Sequence, residues 1–201
     1  MKNISKLILL CAAAVGFALP AFGQVSLSLS PAKQNTIVGD TLTYSIIVAG
    51  LKGSADLPDI SPALGSFDIM LDYDSSVLTY DSATFGNFLN VDASGDSQLD
   101  ASTTGQVNLM DISSGTAAAL EAAQTSSFSL GTVTFTLDQV QSTAITFDAQ
   151  TSLGDENSNS LTFSTSNASA VPEPGTYAFA GMGIVALAAL ALRRKAGVKT
   201  A

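Results

Sequence analysis

The sequence predicts an all-β domain, an antiparallel β-sandwich of about nine strands, with an export signal before it and one membrane-spanning helix after it. Three observations carry this. Apolar side chains alternate at a period of two with hydroxyl or carboxylate side chains in segment after segment, the mark of strands with one face in a core and one in water. The segments are short and are divided by clusters of Gly, Asp, Asn and Ser, which suit the turns of an antiparallel sandwich. The long uncharged apolar runs lie at the two ends of the chain, outside the alternating region.

In chain order, Lys2 and Lys6 precede an apolar stretch over residues 7–19, and Pro20 with the small-residue pattern Ala21-Phe22-Gly23 follows it. That is the layout of a secretory signal peptide over residues 1–23, cut before Gln24. Val25, Leu27 and Leu29 then alternate with Ser26, Ser28 and Ser30; Leu42, Tyr44, Ile46 and Val48 alternate with Thr41, Thr43, Ser45 and Ile47. Phe67, Ile69, Leu71 and Tyr73 do so against Asp68, Met70, Asp72 and Asp74. The pattern recurs at Val107 and Leu109, at Val133, Phe135 and Leu137, at Ile145 and Phe147, and at Leu161 and Phe163. Residues 116–124, TAAALEAAQ, form the one convincing helical stretch, a short connector between strands.

Residues 24–165 are therefore assigned to one sandwich domain, long enough to build its own core. Residues 166–175 read as a linker together with the Pro-Glu-Pro motif, with the Ser-, Asn-, Thr- and Ala-rich stretch 164–170 as a flexible spacer. The uncharged run over residues 175–192 is long enough to cross a bilayer with a few ångströms of mismatch, and the spanning helix is placed at 176–192. Arg193, Arg194 and Lys195 open a basic tail, 193–201, that should stay cytoplasmic.

The order Val171-Pro172-Glu173-Pro174, apolar helix, then Arg193-Arg194-Lys195 resembles the PEP-CTERM sorting signal of exported Gram-negative bacterial proteins. The resemblance implies export by the Sec machinery, an inner-membrane-anchored precursor, and cutting by an exosortase-type membrane protease. It also implies a mature protein at the cell surface or in an extracellular polysaccharide matrix. An ordinary tail-end membrane anchor is the plainer alternative.

Composition narrows the chemistry. The only cysteine, Cys11, belongs to the signal peptide, so the mature domain has no disulfide, thiol nucleophile or thiolate metal site. Histidine is absent, which removes the commonest general base and metal ligand, and tryptophan is absent too. Between residues 24 and 170 sixteen acids face only Lys33 and Lys52, a net charge of about −14 that repels nucleic acid and anionic lipid. A Ser-His-Asp triad is impossible, no two carboxylates are paired by the pattern as a glycosidase needs, and no phosphate loop is present; the expectation is a protein that is not an enzyme.

Val38-Gly39-Asp40 before a long strand, the segment Gly65-Ser66-Phe67-Asp68-Ile69-Met70-Leu71-Asp72-Tyr73-Asp74-Ser75-Ser76-Val77-Leu78, and Gly131-Thr132-Val133-Thr134-Phe135 are similar to the cohesin and carbohydrate-binding-module superfamily. That family folds as a nine-stranded jelly roll, and Ser75 stands where it usually has proline. The resemblance implies a binding module that contacts another protein, as cohesins contact dockerins. A polysaccharide-binding module is the alternative, with a groove lined by tyrosines and loop carboxylates and a sensitivity to calcium. An envelope protein or the exopolysaccharide would be the partner.

Candidate contacts on this reading are Asp72, Tyr73 and Asp74 at the end of one strand, where loops gather, and Tyr80 beyond it. Asp72 and Asp74 also have a purely structural explanation, since such side chains bond to nearby backbone amides in turns. Asp92, Asp96 and Asp100 read as a solvated loop without calcium-loop spacing. Asp155, Glu156, Asn157 and Asn159 gather oxygens closely enough to be the candidate calcium ligands.

Overall fold

The computed structural model describes residues 24–51, 62–91 and 95–173. Within them lie twelve strands and one helix: β1 (Val25–Ser30), β2 (Lys33–Thr36), β3 (Thr41–Ala49), β4 (Leu64–Tyr73), β5 (Leu78–Phe85), β6 (Asp96–Asp100), β7 (Gln106–Ile112), α1 (Ala117–Ala123), β8 (Ser127–Leu137), β9 (Thr143–Phe147), β10 (Ser152–Asp155), β11 (Phe163–Ser166) and β12 (Ala168–Pro172). A five-stranded sheet runs β11-β1-β3-β8-β5; a seven-stranded sheet runs β2-β12-β9-β4-β7-β6, with β10 paired along β4. The inward halves of the alternating strands, among them Leu27, Leu42, Tyr44, Ile46, Ile69, Leu71, Leu109, Val133 and Phe135, interlock as one core between the sheets.

The expected count of about nine strands becomes twelve because three runs are divided. The chain crosses between sheets after Pro31, so β1 and β2 lie in different sheets. It crosses again at Asn167, splitting β11 from β12. β9 and β10 share one side of β4: β9 pairs with Leu71 to Tyr73, and β10 with Leu64 to Asp68. The first and last stretches thus run side by side, β1 parallel to β11 and β2 parallel to β12.

The domain boundary differs from the expectation for the same reason. The stretch 164–170, expected as a flexible spacer, lies in β11 and β12. Ala168 and Ala170 are buried where β12 pairs with β2 and β9; the small alternating residues Ala168, Ser169 and Ala170 suit a spacer or the inward–outward pattern of a strand equally well. The sandwich therefore reaches Glu173, whose N–H donates to the Thr36 carbonyl at 2.9 Å.

The helix forms where expected, with the Thr116 hydroxyl accepting from the Ala119 N–H as N-cap. At its far end Gln124 is buried, and its side-chain amide accepts from the Leu64 N–H and donates to the Leu64 carbonyl, both at 2.7 Å. The signal peptide, the spanning helix at 176–192 and the basic tail lie outside the described residues; among those described, no helix is long and apolar enough to cross a membrane.

Candidate functional site

Each sheet presents an outer face of different chemistry. On the seven-stranded sheet, β4 turns Ser66, Asp68, Met70 and Asp72 outward, and β7 turns out Gln106, Asn108, Met110 and Ile112. The register places Ser66 beside Ile112, Asp68 beside Met110, Met70 beside Asn108 and Asp72 beside Gln106. Edge strand β6 continues these rows with Asp96, Gln98 and Asp100. The Asn108 amide donates to Asp68 at 2.6 Å and the Gln106 amide to Asp72 at 2.9 Å, so the two carboxylates are fixed in orientation. Met70 and Met110 sit half-exposed between them. β4, β6 and β7 carry Asp68, Asp72, Asp96, Asp100 and Asp111 and no cation.

On the five-stranded sheet the outer face is a grid of hydroxyls. Thr41, Thr136 and Thr79 form one row across β3, β8 and β5; Thr43, Thr134 and Ser82 the next; Ser45, Thr132 and Thr84 the third, with Ser30 of β1 beyond Ser45. Two β-bulges, at Ile46/Ile47 and Tyr80/Ser82, adjust the register so that the hydroxyls keep one side. Gly131 makes room at this point, since a Cβ there would collide with the Thr84 carbonyl oxygen. Thr84 and Thr132 are hydrogen-bonded at 2.7 Å, and Thr43 and Thr134 at 3.3 Å. Asp81 is the sole charged residue on the five strands.

The residues singled out in the sequence do not converge on one site. Asp72 belongs to the amide–carboxylate face just described. Asp74 caps the turn after β4: Ser76 donates to its carboxylate through its hydroxyl at 2.6 Å and its N–H at 2.9 Å, and these bonds hold the carboxyl below its ordinary range. Tyr73 and Tyr80, expected at a binding surface, are instead packed against the core ring of Phe135, with centroids at 5.0 and 6.0 Å. Tyr44 is fully buried, and burial pushes its hydroxyl up to about 12. These three tyrosines therefore offer no open platform for a sugar. Tyr73, Tyr80 and Tyr44 occupy inward positions of alternating strands, where core packing outweighs the polar tip.

Asp155 is turned into its own loop. Its carboxylate accepts from the Asn157 N–H, the Asn159 N–H and the Asn159 amide at 2.7 to 2.9 Å. Burial raises its pKa, but the bonds from Asn159 and Asn157 outweigh that and hold it low. Glu156 accepts from the Asn157 amide at 2.9 Å. Among the described residues no group of three or more acidic side chains is arranged to hold a metal ion. Asp92 lies outside the described residues, and Asp96 and Asp100, expected in a loop, are the two ends of β6.

One residue escaped the sequence reading. Asp111 continues the inward phase of Val107 and Leu109 and is buried, accepting from the Ser97 hydroxyl at 3.0 Å through one oxygen while the other has no partner. Burial raises its carboxyl, with Asp96 adding in the same direction, against the opposing bonds from Ser97 and the Ile112 N–H. Its phase was visible in the period-two pattern; its charge masked it.

Residues 170–195 match the PEP-CTERM protein-sorting motif. No curated protein is similar in sequence at a significant level. Solved structures of cohesins are similar in fold. The cohesin CaCohA2 of Clostridium acetobutylicum has a TM-score of 0.58 at 19% identity, covering 76% of this chain and 93% of its own. A non-cellulosomal cohesin from the archaeon Archaeoglobus fulgidus has 0.55 at 15%, covering 79% and 97%. A structure of a type I cohesin–dockerin complex from Clostridium thermocellum has 0.54 at 15%, covering 74% and 99%. The chain carries a PEP-CTERM sorting signal on a cohesin-like all-β sandwich.

Proposed function

We propose that the protein is an exported, exosortase-sorted surface or matrix protein whose mature sandwich is non-catalytic and binds another protein. The outer face of the seven-stranded sheet is the docking surface on this reading. The observation that carries it is the pairing on β4 and β7 of two oriented carboxylates with two half-exposed methionines. Methionine adapts to an apolar partner surface, and the fixed Asp68 and Asp72 with Asp96 and Asp100 nearby select a partner segment bearing Lys or Arg. The cohesin-like fold supports a protein partner, and the sorting signal supports Sec export, an exosortase-type protease and a surface or extracellular destination. The membrane helix at 176–192 serves the precursor.

A second reading is favoured by the hydroxyl grid. That face is mostly hydroxyl across three strands, its carboxylates confined to the Thr136–Thr79 row where Asp81 and Asp138 accept from those hydroxyls, so its partner would be a neutral polysaccharide of the matrix, bound through hydroxyls instead of tyrosines. The two readings separate in one experiment. Residues 24–173 are used to capture envelope proteins and exopolysaccharide from the producing cells, alongside Met110→Glu and Thr134→Lys variants. Loss of a protein partner in M110E alone supports the first reading. Polysaccharide retention lost in T134K alone replaces it with the second, and a partner equally retained by both variants refutes both surfaces.

A further inference from the structure

The sorting motif and the fold share residues. Val171 and Pro172 are the last two residues of β12, in register with Asn35 and Thr36 of β2, and the Glu173 N–H donates to the Thr36 carbonyl. Immediately before them, Ser169 and Ala170 are paired on both sides, with β2 and with β9, and Ala168 and Ala170 are buried. The Ser169 N–H donates to the Ala32 carbonyl at 3.0 Å, and the Phe147 N–H to the Asn167 side chain at 3.2 Å. No free chain separates the sandwich from the motif.

A protease takes its substrate as an extended segment whose backbone groups are free to bond to the enzyme. The backbone of β12 is already committed, and drawing it out would break the ladder on two sides and uncover the alanines. We infer that the folded sandwich, by holding β12 between β2 and β9, confines cutting to peptide bonds on the C-terminal side of Glu173, so that the mature protein keeps β12 whole. The inference rests on the processing reading above. The step is hydrolysis: one C–N bond beyond Glu173 breaks, water supplies the hydroxyl of the new carboxyl terminus, and its remaining hydrogen goes to the departing amine.

The test uses the full chain expressed in a host with an active exosortase, followed by intact-mass measurement and C-terminal peptide sequencing of the exported pool. The expected result is a terminus at Glu173 or later. A folded product ending at Pro172 or earlier overturns the inference while leaving the processing reading intact; an uncut chain overturns both. Ser169→Pro lies outside the matched motif and removes the bond to Ala32, so it should add termini before Glu173. An unchanged single terminus in S169P means that the enzyme alone sets the position, and overturns the inference. Carboxypeptidase digestion of the wild-type exported protein gives a readout independent of that variant's folding: trimming should stall at or beyond Glu173, and passage through β12 refutes the shield.

Discussion

Gln124 stands where a strand runs out. β7 ends at Ile112, the Ser113 N–H reaches the Gly65 carbonyl, and the next pairing position on β4 is Leu64, filled by the amide of Gln124. Gln124→Leu keeps most of the side-chain volume and removes both bonds, together with a 3.3 Å bond to the Phe88 carbonyl. Leu64 is fully buried, so its N–H and carbonyl are left without these partners. At about 1–3 kcal/mol for each of the two orphaned Leu64 groups the loss is roughly 2–6 kcal/mol. That is a large part of the roughly 5–15 kcal/mol that holds a domain of this kind. At about 2–4 °C per kcal/mol the melting temperature should fall by roughly 4–24 °C. Urea unfolding of residues 24–173 with and without the substitution measures the difference as a shift in midpoint at constant slope. A change below about 0.5 kcal/mol with an unchanged slope would show that the Leu64 groups find other partners, and would refute the assignment of Gln124 as a strand substitute.

Three further outcomes are expected. A fragment ending at residue 165 lacks β12 and should melt roughly 10 °C or more below the fragment 24–173, checked by circular dichroism; equal melting would mean that β12 contributes little. Burial raises the Asp111 carboxyl above its unfolded value, so the native state binds that proton more readily and this group adds stability as pH falls through the raised value. The wild type should therefore gain on Asp111→Asn from neutral pH down to the ordinary carboxylate range, and a constant difference in stability refutes the raised value. Calcium chelation should leave the melting temperature of residues 24–173 within about 1 °C, because the Asp155 carboxylate is engaged by N–H groups; a drop would establish a bound ion.

The strands were the legible part. Val25 to Ser30, Thr41 to Val48 and Phe67 to Tyr73 alternate cleanly, and each became a strand with the expected face inward. Helix α1 was legible through its alanines and Thr116. The ends of the sandwich were not, since Ser164 to Ala170 has the composition of a linker and acquires its structure only from β1, β2 and β9, partners distant in sequence. The position of the two candidate tyrosines was hidden in a related way. A tyrosine in an alternating strand reads as amphipathic, but Tyr73 and Tyr80 are drawn inward by Phe135. The faces that now stand out required cross-strand register, which places Met70 beside Asn108 and Thr43 beside Thr134 across gaps that no local pattern spans.

The parallel clasp of β2 and β12 also has a mechanical meaning. β12 leads directly into the sorting segment, so tension between that segment and the domain runs along the strand. β12 lies between β2 and β9, and a pull along its axis loads both ladders in shear, so their bonds must give way together instead of opening one at a time like a zipper. Any force applied to this protein through the sorting segment would meet the two ladders at once.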